Sequence, residues 1–268
     1  QTTCYNSPVT LTANATSVTE TGQWSVDSSP ASPTYIFSNT SAYNSTFSAT
    51  TAGTYVLRWT ITNGSCNSSS TTTVIVQPQL LGNQITTTNA TLCSGSRPAT
   101  IAISAPTGGA GAGSYAYQWQ TSTDGSSYTD VSTDANYQPP TLNNNGNTPI
   151  VNYYRRSVTS GNCATSISNV VTFTVDPALN SNTITASNTS ICFSGAAGVI
   201  TGTAVTGGTN TYTYQWQRSV NSTSNYSNIV GATSADYNPG QLSNSITTVD
   251  IYRYRRIITS GASCTNTS

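Results

Sequence analysis

The chain has 268 residues and almost no charge: 6% of it is Asp, Glu, Lys or Arg, where an ordinary soluble domain has roughly 25%. Eight arginines balance seven aspartates and the single Glu20, and there is no lysine, histidine or methionine. That balance excludes the clustered basic charge that nucleic acid or an anionic membrane surface requires, and no run of about 18 apolar residues is present to span a bilayer. Serine, threonine and asparagine supply the polarity instead. Sixteen tyrosines, four tryptophans and repeated β-branched runs separate the chain from a disordered one and point to pleated, half-buried strands.

The first elements lie between Cys4 and Cys66. Gln23-Trp24-Ser25 sits in one strand, and Ala52-Gly53-Thr54-Tyr55-Val56-Leu57-Arg58-Trp59-Thr60-Ile61 in another, with Leu57, Trp59 and Ile61 on its inward face. Gly64-Ser65-Cys66 turns the chain into the β-branched run Thr71–Val76, and Gln77-Pro78 ends it, because proline stops a strand. The first module is therefore residues 1–78. The chain opens at Gln1 with no signal-peptide pattern and reads as a processed or excerpted piece.

The second and third modules, residues 79–177 and 178–268, repeat one another at a spacing of about a hundred residues. Asn89–Cys93 answers to Asn188–Cys192, and Tyr115-Ala116-Tyr117-Gln118-Trp119-Gln120 to Tyr212-Thr213-Tyr214-Gln215-Trp216-Gln217. Further on, Ala135-Asn136-Tyr137-Gln138-Pro139 matches Ala235-Asp236-Tyr237-Asn238-Pro239. Tyr154-Arg155-Arg156 matches Tyr254-Arg255-Arg256, each followed by Thr-Ser-Gly and then Cys163 or Cys264. Tyr117, Trp119, Tyr214 and Trp216 alternate with polar residues, so each lies on the apolar face of a central strand; with Trp24 and Trp59 they are the expected core aromatics. Gly108–Gly113 reads as a flexible inter-strand loop, and Asp124-Gly125 as a hairpin turn. No stretch carries a helical period with caps, and turn signals recur every eight to twelve residues, as in an all-β sandwich of antiparallel sheets.

Aligning Gly64-Ser65-Cys66 with Gly161-Asn162-Cys163 puts Leu57, Trp59 and Ile61 in register with Tyr154, Arg156 and Val158. Arg156 and Arg256 are therefore expected to point inward, stacked on Trp119, Trp216 or a neighbouring tyrosine, since a buried guanidinium needs a partner. Their neighbours Arg155 and Arg255 are expected to point out.

Six cysteines allow 15 connectivities, but two per module favours pairing inside each module: Cys4–Cys66, Cys93–Cys163 and Cys192–Cys264. Such bridges imply an oxidising, extracellular setting, and their reduction is expected to unfold the modules. No CxxC or histidine offers a zinc site. Asp124 and Asp130 become Asn221 and Asn228 in the next copy, which argues against a repeated calcium site.

The YxYQWQ strand, the A-[N/D]-Y-[Q/N]-P segment and the Y-R-R-x-x-T-S-G ending resemble the immunoglobulin-like repeats of very large secreted surface proteins of Bacteroidota, including gliding-motility adhesins of the SprB type. The first copy, with G-Q-W-S and A-G-T-Y-V-L-R-W-T-I-T-N-G-S-C, resembles the PKD-like modules of the same proteins. The resemblance implies tandem β-sandwiches displayed at the cell surface or released from it, exported by the type IX system.

Catalysis fails by elimination. Without histidine or lysine there is no Ser–His, Cys–His or Ser–Lys nucleophile, and the carboxylates are too scattered for a glycosidase pair. The chain is read as a non-enzyme without cofactor: a structural and adhesive segment of a long surface protein or filament. Its partners are neighbouring modules, with surface polysaccharide or protein as ligands of its loops. Three other readings stand beside this one: spacer modules of a secreted polysaccharide-degrading enzyme, a strand-donating fibre subunit, and a eukaryotic adhesion protein glycosylated at sites such as Asn14, Asn44 and Asn89. The second copy continues past Cys163 to Val175 while the third stops at Ser268, so an exposed sheet edge is expected in the third module.

Overall fold

A computed structural model describes residues 1–244, 248–261 and 264–268, and among these every regular element is a β-strand. The first module comprises β1 (Thr2–Cys4), β2 (Val9–Thr10), β3 (Thr21–Ser28), β4 (Tyr35–Phe37), β5 (Thr46–Ala49), β6 (Gly53–Asn63) and β7 (Cys66–Gln77). One sheet has the order β1-β7-β6-β3 and the other β2-β5-β4. Their inner faces enclose Leu11, Trp24, Phe47, Tyr55, Leu57, Trp59, Val74 and Val76. On β6 the alternation is direct: Tyr55, Leu57 and Trp59 are buried, and the residues between them are not.

The second module contains β8 (Ala90–Cys93), β9 (Tyr115–Ser122), β10 (Thr129–Ser132), β11 (Ile150–Ser160), β12 (Ser166–Ile167) and β13 (Val171–Asp176). Its main sheet runs β10-β9-β11-β13-β8, with β12 beside the far end of β11. The facing layer is held by short bridges, Ile85 to Ile103 and Ile101 to Tyr137. Between the layers lie Ile85, Ile101, Trp119, Leu142, Tyr154, Val171, Phe173 and Val175.

The third module has β14 (Ile184–Ala186), β15 (Ile200–Gly202), β16 (Tyr212–Val220), β17 (Ser227–Asn228), β18 (Tyr252–Ser260) and β19 (Cys264–Thr267). Its main sheet is β17-β16-β18-β19, faced by the β14-β15 pair. β19 covers only Ile257–Ser260 of β18; the Tyr252–Tyr254 end is paired to β16 alone among the described residues. The chain is thus three tandem immunoglobulin-like β-sandwiches.

Edge strand and last strand run parallel: Cys4 stands opposite Gln77 at the end of β7, and Cys93 opposite Asp176 at the end of β13. Cys66, by contrast, is the first residue of β7. Eleven residue steps along an extended strand place Cys4 and Cys66 about 36 Å apart, whereas a disulfide requires Cα atoms within roughly 7 Å. The bridges expected inside each module therefore do not form. The structure joins Cys4 to Cys163 and Cys93 to Cys264, with Cα atoms 4.9 and 5.4 Å apart, and leaves Cys66 and Cys192 as exposed thiols. Each bridge links the edge strand of one module to the β-hairpin of the next.

Candidate functional site at the module junctions

Two arrangements recur in the second and third modules, a buried arginine and a stapled junction. Arg156 and Arg256 are fully buried, each directly across the sheet from the core tryptophan of its module, Trp119 and Trp216. Both guanidinium carbons lie near a tyrosine ring, Arg156 at 5.1 Å from Tyr117 and Arg256 at 5.2 Å from Tyr214. Arg156 is also 5.7 Å from Trp119. The main partners, however, are oxygen acceptors. Arg156 donates from Nε to Asn83 Oδ1 (2.9 Å), from Nη1 to the Ala135 carbonyl (2.9 Å) and from Nη2 to the Ser104 carbonyl (3.2 Å). Arg256 does the same to Asn182 Oδ1 (3.0 Å), Ala235 (2.8 Å) and Thr203 (3.0 Å).

The asparagine completes a clamp. Asn83 Nδ2 donates to the Arg156 carbonyl (3.0 Å) and to Ser166 (2.8 Å), and Asn182 Nδ2 donates to Arg256 and Asn266. Burial holds both guanidinium groups below their ordinary pKa, and the neighbouring Tyr117 and Tyr214 oppose that shift. An arginine stays protonated through the neutral range even so, which makes the three acceptors obligatory. The two clamp asparagines, each two residues before Ile85 or Ile184, carry no charge signal in the sequence because the cation here is satisfied without an anion.

Arg155 and Arg255 lie on the opposite face. Their guanidinium carbons sit 3.7 Å from Tyr128 and 4.2 Å from Tyr226, and their Nε atoms donate to Gln120 and Gln217. Trp24 and Trp59 are buried 5.2 Å apart, while Tyr117 and Tyr214 are half-buried beside the arginines.

At the first junction Cys163 bonds Cys4, Asn162 Nδ2 donates to the Thr2 carbonyl (2.6 Å), and the Asn162 amide donates to Gln77 Oε1 (3.1 Å). At the second, Cys264 bonds Cys93 and the Ala178 amide donates to the Asn144 carbonyl (3.1 Å). A double-glycine turn braces the chain after each proline. The Gly109 amide donates to the Pro78 carbonyl (2.9 Å) and the Gly208 amide to Pro177 (3.0 Å). A Cβ on Gly108 or Gly207 would stand 1.9 Å from the carbonyl oxygen of Gln79 or Ala178, and both glycines have positive φ. Gly108-Gly109 is therefore a packed brace, not the flexible loop its composition suggests. Ser160 and Ser260, from the Thr-Ser-Gly signature, are buried against it and accept from the Ala110 and Thr209 amides.

These contacts fix one module against the next; no group of metal-ligating side chains occurs among the described residues. No described helix is long and apolar enough to cross a membrane.

A family model described as a domain of unknown function (DUF8696) matches residues 82–177 and, a second time, 180–268. No curated protein matches the chain significantly. Among solved structures, the I67–I69 fragment of the titin I-band aligns at 10% identity with a TM-score of 0.49, over 100% of this chain and 92% of that one. The three N-terminal domains of the bacteriophage RB49 highly immunogenic outer capsid protein align at 12% identity with a TM-score of 0.41, over 99% and 93%. Fibronectin(III)-like modules of Clostridium thermocellum CbhA align at 13% and 0.32, over 66% and 89%. At such identities and scores none of the three bears on what this chain does.

Proposed function

The chain belongs to the DUF8696 family of domains of unknown function, and from that premise we propose that it is a non-catalytic, load-bearing segment of a long extracellular surface protein or filament. The observation that carries this reading is the repeated staple: each module is bonded head-to-tail to the next, at the same two strand positions. Cross-module bridges limit how far a chain can be drawn out. Between Cys4 and Cys264 the shortest covalent path runs through residues 93–163 alone, so the oxidised chain extends to roughly 270 Å where the reduced chain reaches roughly 940 Å. Disulfides of this kind persist outside the cell and not in a reducing cytosol.

The motifs shared with SprB-type repeats support a source among the surface proteins of Bacteroidota, with weak multivalent contacts to polysaccharide or protein made by tyrosine- and asparagine-rich loops. Single-molecule stretching of the oxidised and reduced chain tests the mechanical reading. Equal final lengths in the two states would remove it. Protease shaving of intact source cells tests display, which fails if the protein is released only on lysis.

One observation favours a second reading, that the third module accepts a strand. A cleft of about 480 Å³ lies between Ile191-Cys192-Phe193 and Tyr252–Tyr254, lined also by Ile200 and Leu242. The corresponding residues of the second module, Ile101, Leu142 and Tyr154, pack against Phe173 and its neighbours Val171 and Val175 of β13. A peptide copying Val170–Asp176 is expected to bind there, seen as protection of Tyr252–Tyr254 amides from exchange; unchanged exchange would count against a strand slot.

A further inference from the structure

Cys4, Cys93 and Cys192 hold one structural position. Each carbonyl accepts from the amide three residues on, Ser7 (2.9 Å), Ser96 (3.0 Å) and Gly195 (2.8 Å), so each cysteine ends its edge segment at the same tight turn. Cys66, Cys163 and Cys264 hold a second position, the hairpin after β6, β11 and β18. Every bridge in the molecule joins a first-position cysteine to the second-position cysteine of the following module. Of the six, Cys192 is the first-position residue of the third module and Cys66 the second-position residue of the first, and both are exposed thiols.

We propose that Cys66 and Cys192 are the open ends of this same ladder: Cys192 bonds the hairpin cysteine of a further module of this kind, and Cys66 bonds the edge-strand cysteine of another. The inference rests on the load-bearing reading above and names the partner's chemistry. An independent observation marks the Cys192 end as an interface, because Cys192 and the 61% exposed Phe193 line the cleft described above. In the second module the equivalent space is filled by β13, which runs on into the very module whose hairpin bonds Cys93. A module's own last strand and the hairpin cysteine of the following module thus meet at the same end of the edge strand. At the other end, the Cys66 hairpin matches the Cys163 hairpin, in which Asn162 and Cys163 grip the Thr2 carbonyl and Cys4.

Bond formation consumes two thiols, releases two protons and passes two electrons to a disulfide oxidant such as oxidised glutathione, which becomes two thiols. The full chain carries both halves of the joint, so it is its own probe. Cys66→Ser and Cys192→Ser chains, mixed in a glutathione redox buffer, leave one of the two cysteines on each partner. The expected product is the Cys66–Cys192 heterodimer, at least tenfold over both homodimers on a non-reducing gel, with the crosslinked peptide identified by mass spectrometry. A random 1:2:1 distribution, or glutathione adducts without dimer, would overturn the inference. Peptide mapping of the same samples reports on the underlying reading separately. If Cys4–Cys163 and Cys93–Cys264 are absent, the ladder itself fails; if they are present and the heterodimer is not, only the present inference does.

Discussion

Arg156 lies directly across the sheet from Trp119, in the register that Trp59 holds opposite Trp24 in the first module. A cation thus takes a position that an indole fills elsewhere in the same chain. Burying it is tolerable because Asn83, Ser104 and Ala135 present three oxygens to it. Removing the guanidinium would leave those acceptors without their donor, at about 1–3 kcal/mol for each that water cannot reach.

Arg156→Met is therefore expected to destabilise the second module by about 3–5 kcal/mol, with Asn83→Ala costing about 2–3 kcal/mol through the same node. Urea denaturation with hydrogen exchange read on β9 and β11 checks it. A loss under about 1 kcal/mol for Arg156→Met would show that the hydrogen bonds are incidental.

The bridges couple neighbouring modules. Because Cys93 stands opposite Asp176, its bond to Cys264 closes the whole third module into a loop when that module unfolds alone, and closes most of the second in the converse case. Loops of that size correspond to about 4–5 kcal/mol in the chain-entropy model. Cys93→Ser is thus expected to lower the stability of the second and third modules together, by up to that amount, leaving the first unchanged. Pairing with Cys163 would confine the loss to the second module, and module-resolved exchange separates the outcomes.

Gly202 makes room for Arg256. A Cβ there would fall 1.8 Å from Nη1, whereas Thr203, one residue on, supplies the carbonyl that Nη2 needs. Gly202→Ala is expected to cost about 2–4 kcal/mol, the range of overpacking combined with a displaced buried cation. Combined with Arg256→Met, it should cost clearly less than the sum of the two changes. Additive losses would mean that the two residues do not compete for this space.

Asp124 closes the β9–β10 turn. Its Oδ1 accepts from the Ser126 and Ser127 amides and from Ser122 Oγ, and these bonds hold the carboxyl well below the usual carboxylate range. A depressed folded-state value means that the stabilisation is complete above the unfolded value of about 4 and is lost as pH falls through the folded one. NMR titration of the Asp124 carboxyl should show this low midpoint. Asp124→Asn should remove the acid dependence of the turn without opening it at neutral pH, because an amide oxygen still accepts. A midpoint near 4 would refute the arrangement.

The modules and the inward arginines were legible in sequence because their causes are local or repetitive. Alternation along a strand decides which of Tyr115, Ala116 and Tyr117 faces in, and a signature written twice sets register between copies. The arginine's partners were not legible, since Asn83 lies 73 residues from Arg156 and two further acceptors are backbone carbonyls, which any residue type provides.

Disulfide connectivity shows where local information stops. Two cysteines per repeat favour pairing within a module, because that closes the shorter segments, yet the bridges that form span 159 and 171 residues. The choice was made by strand direction: the edge strand runs parallel to the last strand, so its cysteine is carried to the pole from which the chain leaves. The hairpin cysteine stands at the pole where the chain enters. Covalent geometry spans only a few ångströms, so each edge cysteine meets the next module's hairpin and never its own. Composition and period by themselves determined an all-β chain of three beads; tertiary structure alone decided that the beads are stapled to one another, because distance in space, not count along the sequence, governs which sulfurs can bond.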